Sequence, residues 1–142
     1  MPKPVSPLLT IDAVILLNNK KDIVLIRRKN PPFQGQFALP GGFVDIGETV
    51  ENACIREVKE ETNINVKILK LIGVFSDPKR DPRGHTITVA FLCEPLTKKE
   101  KPKALDDAAD LEIVSLKELS SFELAFDHME IIKSSGILNN SI

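Results

Sequence analysis

Several features that would place a chain in a specialised class of protein are scarce or missing here. The 142 residues include only two cysteines, Cys54 and Cys93, which are too few for a disulfide framework. Cys54 falls on the apolar side of a predicted helix and Cys93 at the end of a predicted strand, so both are expected to be small buried side chains. The absence of a disulfide framework fits a reducing cytoplasm, which is the expected location.

Long apolar runs and an excess of one charge are also missing. No stretch is long enough to span a bilayer, and the prolines among the first ten residues argue against a signal peptide. The formal net charge is −1, so we expect neither nucleic acid nor a membrane surface as a partner. We find no internal repeat, and the length suits one domain, expected to span residues 1–142.

Patterns typical of strands and of helices alternate along the chain. The predicted strands are 8–17, 23–26, 37–39, 66–75, 85–92 and 111–114, and the predicted helices are 49–61, 116–119 and 125–135. The polar segment 97–110 is predicted to be a mobile loop. This alternation favours a mixed sheet between helices, which is an α/β fold.

The helix predicted for residues 49–61 carries acids where apolar side chains are expected. At about 100° per residue, an apolar stripe runs along one face. The stripe consists of Val50, Ala53, Cys54, Ile55 and Val58. Glu57 and Glu61 fall within the stripe, and Glu60 lies on its border. Arg56 lies nearly opposite on the helical wheel, so it is expected to face water and to neutralise the acids poorly.

These acids predict a site for a divalent cation. Carboxylates four residues apart on a half-buried face repel each other and lose hydration. Hard oxygen ligands suit Mg²⁺ or Mn²⁺, and a bound ion would remove the conflict. The alternative is a solvated acidic helix edge. Gly41 and Gly42, in a predicted turn before the helix, support the metal site because adjacent glycines let a backbone carbonyl approach an ion or a phosphate.

The same region resembles the signature of the Nudix hydrolase family, GX5EX7REUXEEXGU, in which U is a bulky aliphatic residue. The matching positions are Gly42, Glu48, Arg56, Glu57, Val58, Glu60, Glu61 and Ile64. Asn63 stands where the signature has its last glycine, and asparagine tolerates the left-handed conformation well. The resemblance implies a metal-dependent hydrolase with an α/β/α sandwich fold and a mixed sheet between the helices.

The resemblance also implies roles for the signature residues. Glu57 and Glu61 are expected to be the principal metal ligands, with Glu60 in support and the Gly42 carbonyl completing the shell. Glu48 is expected to hold a further metal or a water molecule. Arg56 is expected to orient a signature glutamate, and the alternative is an ordinary solvent-facing cation.

The general base is left open. In the family, a loop at the level of segment 97–110 can carry a glutamate that acts as the base. The acids available in this segment are Glu100, Asp106, Asp107 and Asp110, and the alternative is that they only make the loop soluble.

The expected substrate is ADP-ribose, split to AMP and ribose 5-phosphate. Pro78 stands some fifteen positions beyond Asn63, where the ADP-ribose pyrophosphatase subgroup has a proline. Segments 76–91 and 123–128 also resemble short prokaryotic members of that subgroup. One alternative is a hydrolase of oxidised nucleoside triphosphates. Another is a non-catalytic ADP-ribose sensor attached to a DNA-binding module, although the chain is expected to lack room for a second domain.

Residues outside the signature are expected to contact the nucleotide. The predicted substrate-binding residues are Arg27, Arg28, Phe33, Gly41, Gly42, Arg80 and Arg83. The loop arginines are expected at the diphosphate or the distal ribose phosphate, and the alternative for their loop is a solvated turn. Phe33 would stack on a base or pack against the core. A homodimer is left open.

Overall fold

Seven strands and two α-helices form the part of the chain that the computed structural model describes, residues 5–104 and 108–139. The strands are β1 (Leu8–Leu17), β2 (Asp22–Arg28), β3 (Phe37–Ala38), β4 (Gly41–Phe43), β5 (Val66–Phe75), β6 (Thr86–Pro95) and β7 (Ala108–Ser115). The helices are α1 (Val50–Thr62) and α2 (His128–Ser134), with short 3₁₀ helices at Leu119–Ser121 and Ile137–Asn139.

The strands form one mixed sheet. Their order is β3-β2-β1-β6-β5, with β4 also paired to β1 and β7 to β2. β1 and β6 are parallel, with register running from Leu8 opposite Thr86 to Ile15 opposite Cys93. The other pairings are antiparallel. The predicted mixed sheet is confirmed.

The central strand β1 is apolar on both faces because each face meets a different helix. Successive side chains of a strand point to opposite faces. Ile11 and Ile15 therefore pack with Val58 of α1, and Val14 packs with Ile131 of α2. The sheet thus lies between the two helices, and the predicted α/β/α sandwich is confirmed.

Helix α1 begins and ends with the residues that the sequence indicates. Thr49 is the N-cap, and its hydroxyl accepts the Asn52 N–H at 3.1 Å. Asn63 ends the helix in the left-handed conformation, with φ 64°, and its N–H donates to the Lys59 carbonyl. Ile55 was predicted to belong to the buried apolar stripe of this helix, but its side chain is exposed.

The two cysteines face each other in the core under α1. Both are buried and free, and their sulfur atoms are 3.8 Å apart. Burial and the facing Cys54 thiol raise the pKa of Cys93. The prediction that Cys54 and Cys93 are small buried side chains is confirmed.

The last helix is shorter than predicted. Periodicity predicted residues 125–135, but α2 starts at His128. The Ala125 N–H donates to the Phe37 carbonyl at 2.8 Å, which ties this end of the segment to strand β3 instead. Phe126 then adopts a left-handed conformation, with φ 52°, which no α-helix contains.

Three further predictions of local structure are wrong. Gly41 and Gly42, predicted as a turn, form strand β4 against β1. β7 begins at Ala108, within the segment predicted as a mobile loop, because it pairs with the full length of β2. Residues 116–118 form a turn, and the short helix follows them at Leu119–Ser121. Among the helices described, none is long and apolar enough to cross a membrane.

Candidate active site

A cleft of about 390 Å³ brings together strand β4, helix α1 and the loop before β6. Carboxylate and guanidinium side chains both line this cleft. The predicted site residues that line it are Arg28, Gly41, Gly42, Glu57, Glu60, Glu61, Arg80 and Arg83. Arg56 and Glu48 do not line the cleft, but Arg56 binds both Glu48 and the lining residue Glu57.

Two glutamates of α1 are packed against the glycine strand. Glu61 is only 8% exposed, and its Oε1 accepts the Gly41 N–H at 3.2 Å. A Cβ atom added at Gly42 would collide with the Glu57 carboxyl group, so any other residue here would displace that carboxyl group. Both acids therefore lie on the inward face of the helix, where the helical wheel places them.

Arg56 donates hydrogen bonds to three acids of this region, which are Glu48, Glu57 and Glu60. Its Nε and Nη2 donate to Glu48 at 2.7 and 2.9 Å, and its Nη1 donates to Glu57 at 2.8 Å. Nη1 also donates to Glu60 at 3.2 Å, and Nη2 to the Phe43 carbonyl at 3.1 Å. The prediction that Arg56 faces water and neutralises the acids poorly is wrong, because its long side chain folds back across the helix.

The electrostatic environments of two neighbouring acids differ sharply. The Arg56 guanidinium, together with the Asp45 N–H, lowers the pKa of Glu48 to about 2. Burial raises the pKa of Glu57 above its ordinary value of 4.5, even though Arg56 opposes that shift. One positive side chain therefore compensates Glu48 fully and Glu57 only in part.

The donor atoms fit a hard divalent ion, although they are not yet gathered around one point. Glu57, Glu60 and Glu61 offer carboxylate oxygens, the ligands that Mg²⁺ and Mn²⁺ prefer. Within residues 5–104 and 108–139, no three acidic, histidine or cysteine side chains converge closely enough to hold an ion. Binding of an ion would therefore need these oxygens to come closer together than they are in the structure.

Arg80 lines the cleft, and three of its five guanidinium N–H groups have recorded partners. It donates to both Asp127 oxygens, at 2.8 and 2.6 Å, and to the Thr88 hydroxyl at 2.6 Å. Its side chain is only 5% exposed. In this arrangement Arg80 ties the residue before α2 to the sheet, and its contact with a substrate phosphate stays a prediction.

Besides Lys29, two further cations, Arg28 and Arg83, line the cleft. Their guanidinium carbons lie 5.0 and 5.5 Å from the centre of the Phe126 ring. Burial, and then the charge of Arg83, lower the pKa of Arg28. Asp81 binds Arg83 at 2.8 Å, whereas the one side-chain hydrogen bond recorded for Arg28 within the described residues goes to the Pro32 carbonyl. An anionic ligand would relieve the repulsion between these two cations.

Two predicted substrate contacts lie outside the cleft lining. Arg27 stacks on Phe37, with 4.5 Å between the guanidinium carbon and the ring centre, because its side chain leaves β2 on the face opposite to Arg28. The Phe33 ring packs edge-on against Phe126, with 4.7 Å between the ring centres. Of the two uses considered for Phe33, this contact corresponds to packing against the core. Neither residue is therefore placed to touch a nucleotide in the cleft.

The acids considered for the general base are also away from the cleft where the structure describes them. Glu100 accepts the Asn65 N–H at 2.7 Å and so fastens its loop to the start of β5. Asp110 is exposed on β7. Asp106 and Asp107 lie outside the described residues.

The sequence analysis missed a buried pair in the cleft wall, Asp12 and His128. The Asp12 Oδ2 and His128 Nε2 atoms are 3.2 Å apart, and both residues line the cleft. One signal in the sequence was available, because Asp12 is the only charged residue within the apolar segment 8–17. A charged residue at a buried strand position indicates a specific partner.

Comparison with known proteins gives consistent matches. A model of the NUDIX domain matches residues 7–134. The ADP-ribose pyrophosphatase of Methanocaldococcus jannaschii is 50% identical over 127 residues, which cover 89% of this chain and 72% of the relative. The ADPR responsive transcriptional repressor NtrR of Acinetobacter baylyi is 35% identical over 95% of this chain, but the chain spans only 56% of that repressor.

A solved structure is similar over most of the chain. It is a bifunctional NMN adenylyltransferase/ADP ribose pyrophosphatase from Francisella tularensis, complexed with AMP and a manganese ion. Its TM-score is 0.80 at 34% identity, covering 90% of this chain and 40% of that protein.

Proposed function

Because the chain belongs to the NUDIX domain family, we propose that it hydrolyses ADP-ribose to AMP and ribose 5-phosphate with the help of a divalent metal ion. One observation carries this proposal. Two inward-facing glutamates, Glu57 and Glu61, line the same cleft as the guanidinium groups of Arg28 and Arg83. Such a cleft offers both oxygen ligands for a cation and positive charge for a diphosphate. We propose Mg²⁺ as the working ion, with Mn²⁺ able to replace it.

Glu57 and Glu61 would hold the ion, with Glu60 in support and the Gly42 carbonyl as a further ligand. When bound, such an ion neutralises phosphate charge and makes hydroxide available from a bound water. Glu48 would hold the Arg56 guanidinium group in place, and Arg56 would in turn orient the Glu57 carboxylate. Cleavage of a phosphoanhydride needs little beyond this positioning and charge stabilisation.

The arginines that line the same cleft supply the substrate contacts. Arg28 and Arg83 would bind the diphosphate or the distal ribose phosphate, because planar guanidinium groups match phosphate oxygens. Phe126 lies between them and takes the place predicted for Phe33, offering an aromatic surface beside the phosphates. Arg80 ties the residue before α2 to the sheet.

A turnover assay with competing substrates tests the proposal. We expect Mg²⁺-dependent cleavage of ADP-ribose, with AMP and ribose 5-phosphate as products and no cleavage in excess chelator. Nucleoside triphosphates, including an oxidised one, should be cleaved with a lower kcat/KM. Faster cleavage of a triphosphate would instead support the alternative of a nucleotide-sanitising hydrolase.

A non-catalytic sensor is the second function to consider, since a repressor named for its response to ADPR is 35% identical to this chain. Tight ADP-ribose binding without turnover on any nucleotide would support it. The retained glutamates favour the enzyme.

We also propose a nucleotide rather than nucleic acid as the partner, a single domain across residues 1–142, and a cytoplasmic location. Gel filtration decides whether the chain is a homodimer.

A further inference from the structure

A buried aspartate–histidine pair lies beside the glycine strand, and the proposed reaction gives it no role. Asp12 is 7% exposed and His128 is 5% exposed. The Leu39 N–H donates to the His128 Nδ1 at 2.9 Å, so a neutral ring carries its proton on Nε2. That Nε2–H points at Asp12 Oδ2, 3.2 Å away. The orientation of the imidazole is therefore fixed at both ring nitrogens.

The histidine holds the chain just before the glycine strand. Three successive backbone groups are tied down here. The Leu39 N–H donates to His128, the Pro40 carbonyl accepts an N–H from β1 at 2.8 Å, and the Gly41 N–H donates to Glu61. The hydrogen bond to His128 links this segment to the first residue of α2, which is 89 positions away in the sequence.

The glycine strand is a thin layer between the pair and the glutamates. A Cβ atom at Gly41 would collide with the Ile11 carbonyl oxygen and with the Asp12 carboxyl group, whereas one at Gly42 would collide with the Glu57 carboxyl group. Successive residues of a strand face opposite sides, so Asp12 supports one side and Glu57 contacts the other. A shift of Leu39 would displace both glycines relative to the glutamates.

We propose that Asp12 and His128 are positioning residues, which hold strand β4 at the distance from Glu57 and Glu61 that metal binding requires. The inference rests on the proposed function to the extent that these glutamates are the metal ligands. Groups behind metal ligands commonly change metal affinity by roughly 10- to 100-fold when they are removed. Neither residue needs to touch the ion or the reacting atoms.

Direct Mn²⁺ binding by the whole chain, measured by titration calorimetry, tests this positioning. His128→Leu removes both ring contacts and should weaken Mn²⁺ binding roughly 10-fold or more, while lowering kcat for ADP-ribose more than it changes KM. His128→Asn leaves an acceptor close to the position of Nδ1 and should recover most of the affinity. The other histidine, His85, is exposed and contacts the Ser76 carbonyl, so His85→Asn is the matched control.

A second control separates positioning from general stability. Ile131→Val in the core of α2 should lower the melting temperature without changing Mn²⁺ affinity. Wild-type affinity in His128→Leu, or an equal loss of affinity in Ile131→Val at an equal loss of melting temperature, would overturn the proposal. If His128→Leu does not fold, His128→Gln decides, because it can still donate toward Asp12 but offers Leu39 no acceptor in the same place.

The two proposals can fail separately. If the wild-type protein binds Mn²⁺ but does not cleave ADP-ribose, the proposed function is wrong, and the affinities of the His128 variants still decide the positioning role. If it cleaves ADP-ribose and those variants bind Mn²⁺ as the wild type does, only the positioning role is wrong.

Discussion

Replacing Glu57 by glutamine should remove most of the activity while the fold survives. Glutamine keeps the shape of the side chain beside Gly42, but it removes the negative charge that would face a metal ion. Loss of one electrostatic contact made at the transition state commonly lowers kcat by about 10³-fold, which corresponds to about 4 kcal/mol. We expect a decrease of that order.

The stability of the same variant should move in the opposite direction. The pKa of Glu57 is raised by burial above 4.5. The stability that this group contributes is therefore present below pH 4.5 and is lost as the pH rises through its folded-state pKa. At neutral pH the ionised group is a liability in the metal-free protein, although the contact with Arg56 offsets part of it. Glu57→Gln should leave metal-free stability unchanged or raise it by up to about 1 kcal/mol.

Thermal unfolding without Mg²⁺ measures the stability of the metal-free variant, and the shift on adding Mg²⁺ measures its metal binding. At ten times its dissociation constant, an ion that binds only the folded state adds about 1.4 kcal/mol, or roughly 4 to 6 °C for a chain of this size. The wild type should show this shift and Glu57→Gln should lose most of it. Glu51→Gln, on the exposed face of the same helix, removes the same charge and serves as the control. Turnover of Glu57→Gln within tenfold of the wild type would refute the assignment.

Three further predictions concern charge and pH. Arg56→Lys should raise the pKa of Glu48 from about 2 toward 4.5, measured by NMR titration, so the stability that this group contributes above pH 4.5, and that the wild type loses as the pH falls toward 2, should be smaller in the variant. Arg28→Gln should raise KM for ADP-ribose roughly 10-fold, whereas Arg27→Gln, which removes the same charge outside the cleft, should not. Because metal binding needs ionised Glu57, Mn²⁺ affinity should fall on acidification with a midpoint above pH 4.5, which calorimetry across a pH series would show.

The parts of the fold that local patterns encode could be predicted from the sequence. The bounds of β1 and β5 and the caps of α1 follow from apolar runs, Thr49 and Asn63, each of which acts over a few residues. The inward positions of Glu57 and Glu61 also follow from helix geometry alone. These predictions succeed because helix periodicity and capping depend on neighbours along the chain.

The side-chain partners could not be predicted in the same way. The helical wheel gives the direction in which Arg56 leaves the helix, but not where its long side chain ends. The partner of Arg80 is Asp127, which is 47 positions away, and the Leu39 N–H bonds His128 across 89 positions. Such pairs depend on which elements the sheet brings together, and no local pattern records them.

The late start of α2 has the same physical origin. Periodicity placed Ala125 within the helix, but the preceding Leu124 pairs with Phe37 of β3, and the Ala125 N–H donates to the Phe37 carbonyl. A tertiary hydrogen bond here outweighs helix propensity, which amounts to only a few tenths of a kcal/mol per residue for most residue types, by order of magnitude. Phe126, which lines the cleft, lies in this irregular segment, and His128 follows it as the first residue of α2.

The most direct test of the account is the anomalous scattering of Mn²⁺ in a crystal grown with the ion and a slowly hydrolysed ADP-ribose analogue. We predict a manganese peak bound by the Glu57 and Glu61 carboxylates, with the diphosphate between that peak and Arg28. A peak bound elsewhere, or none while both glutamates stay packed as they are here, would contradict it.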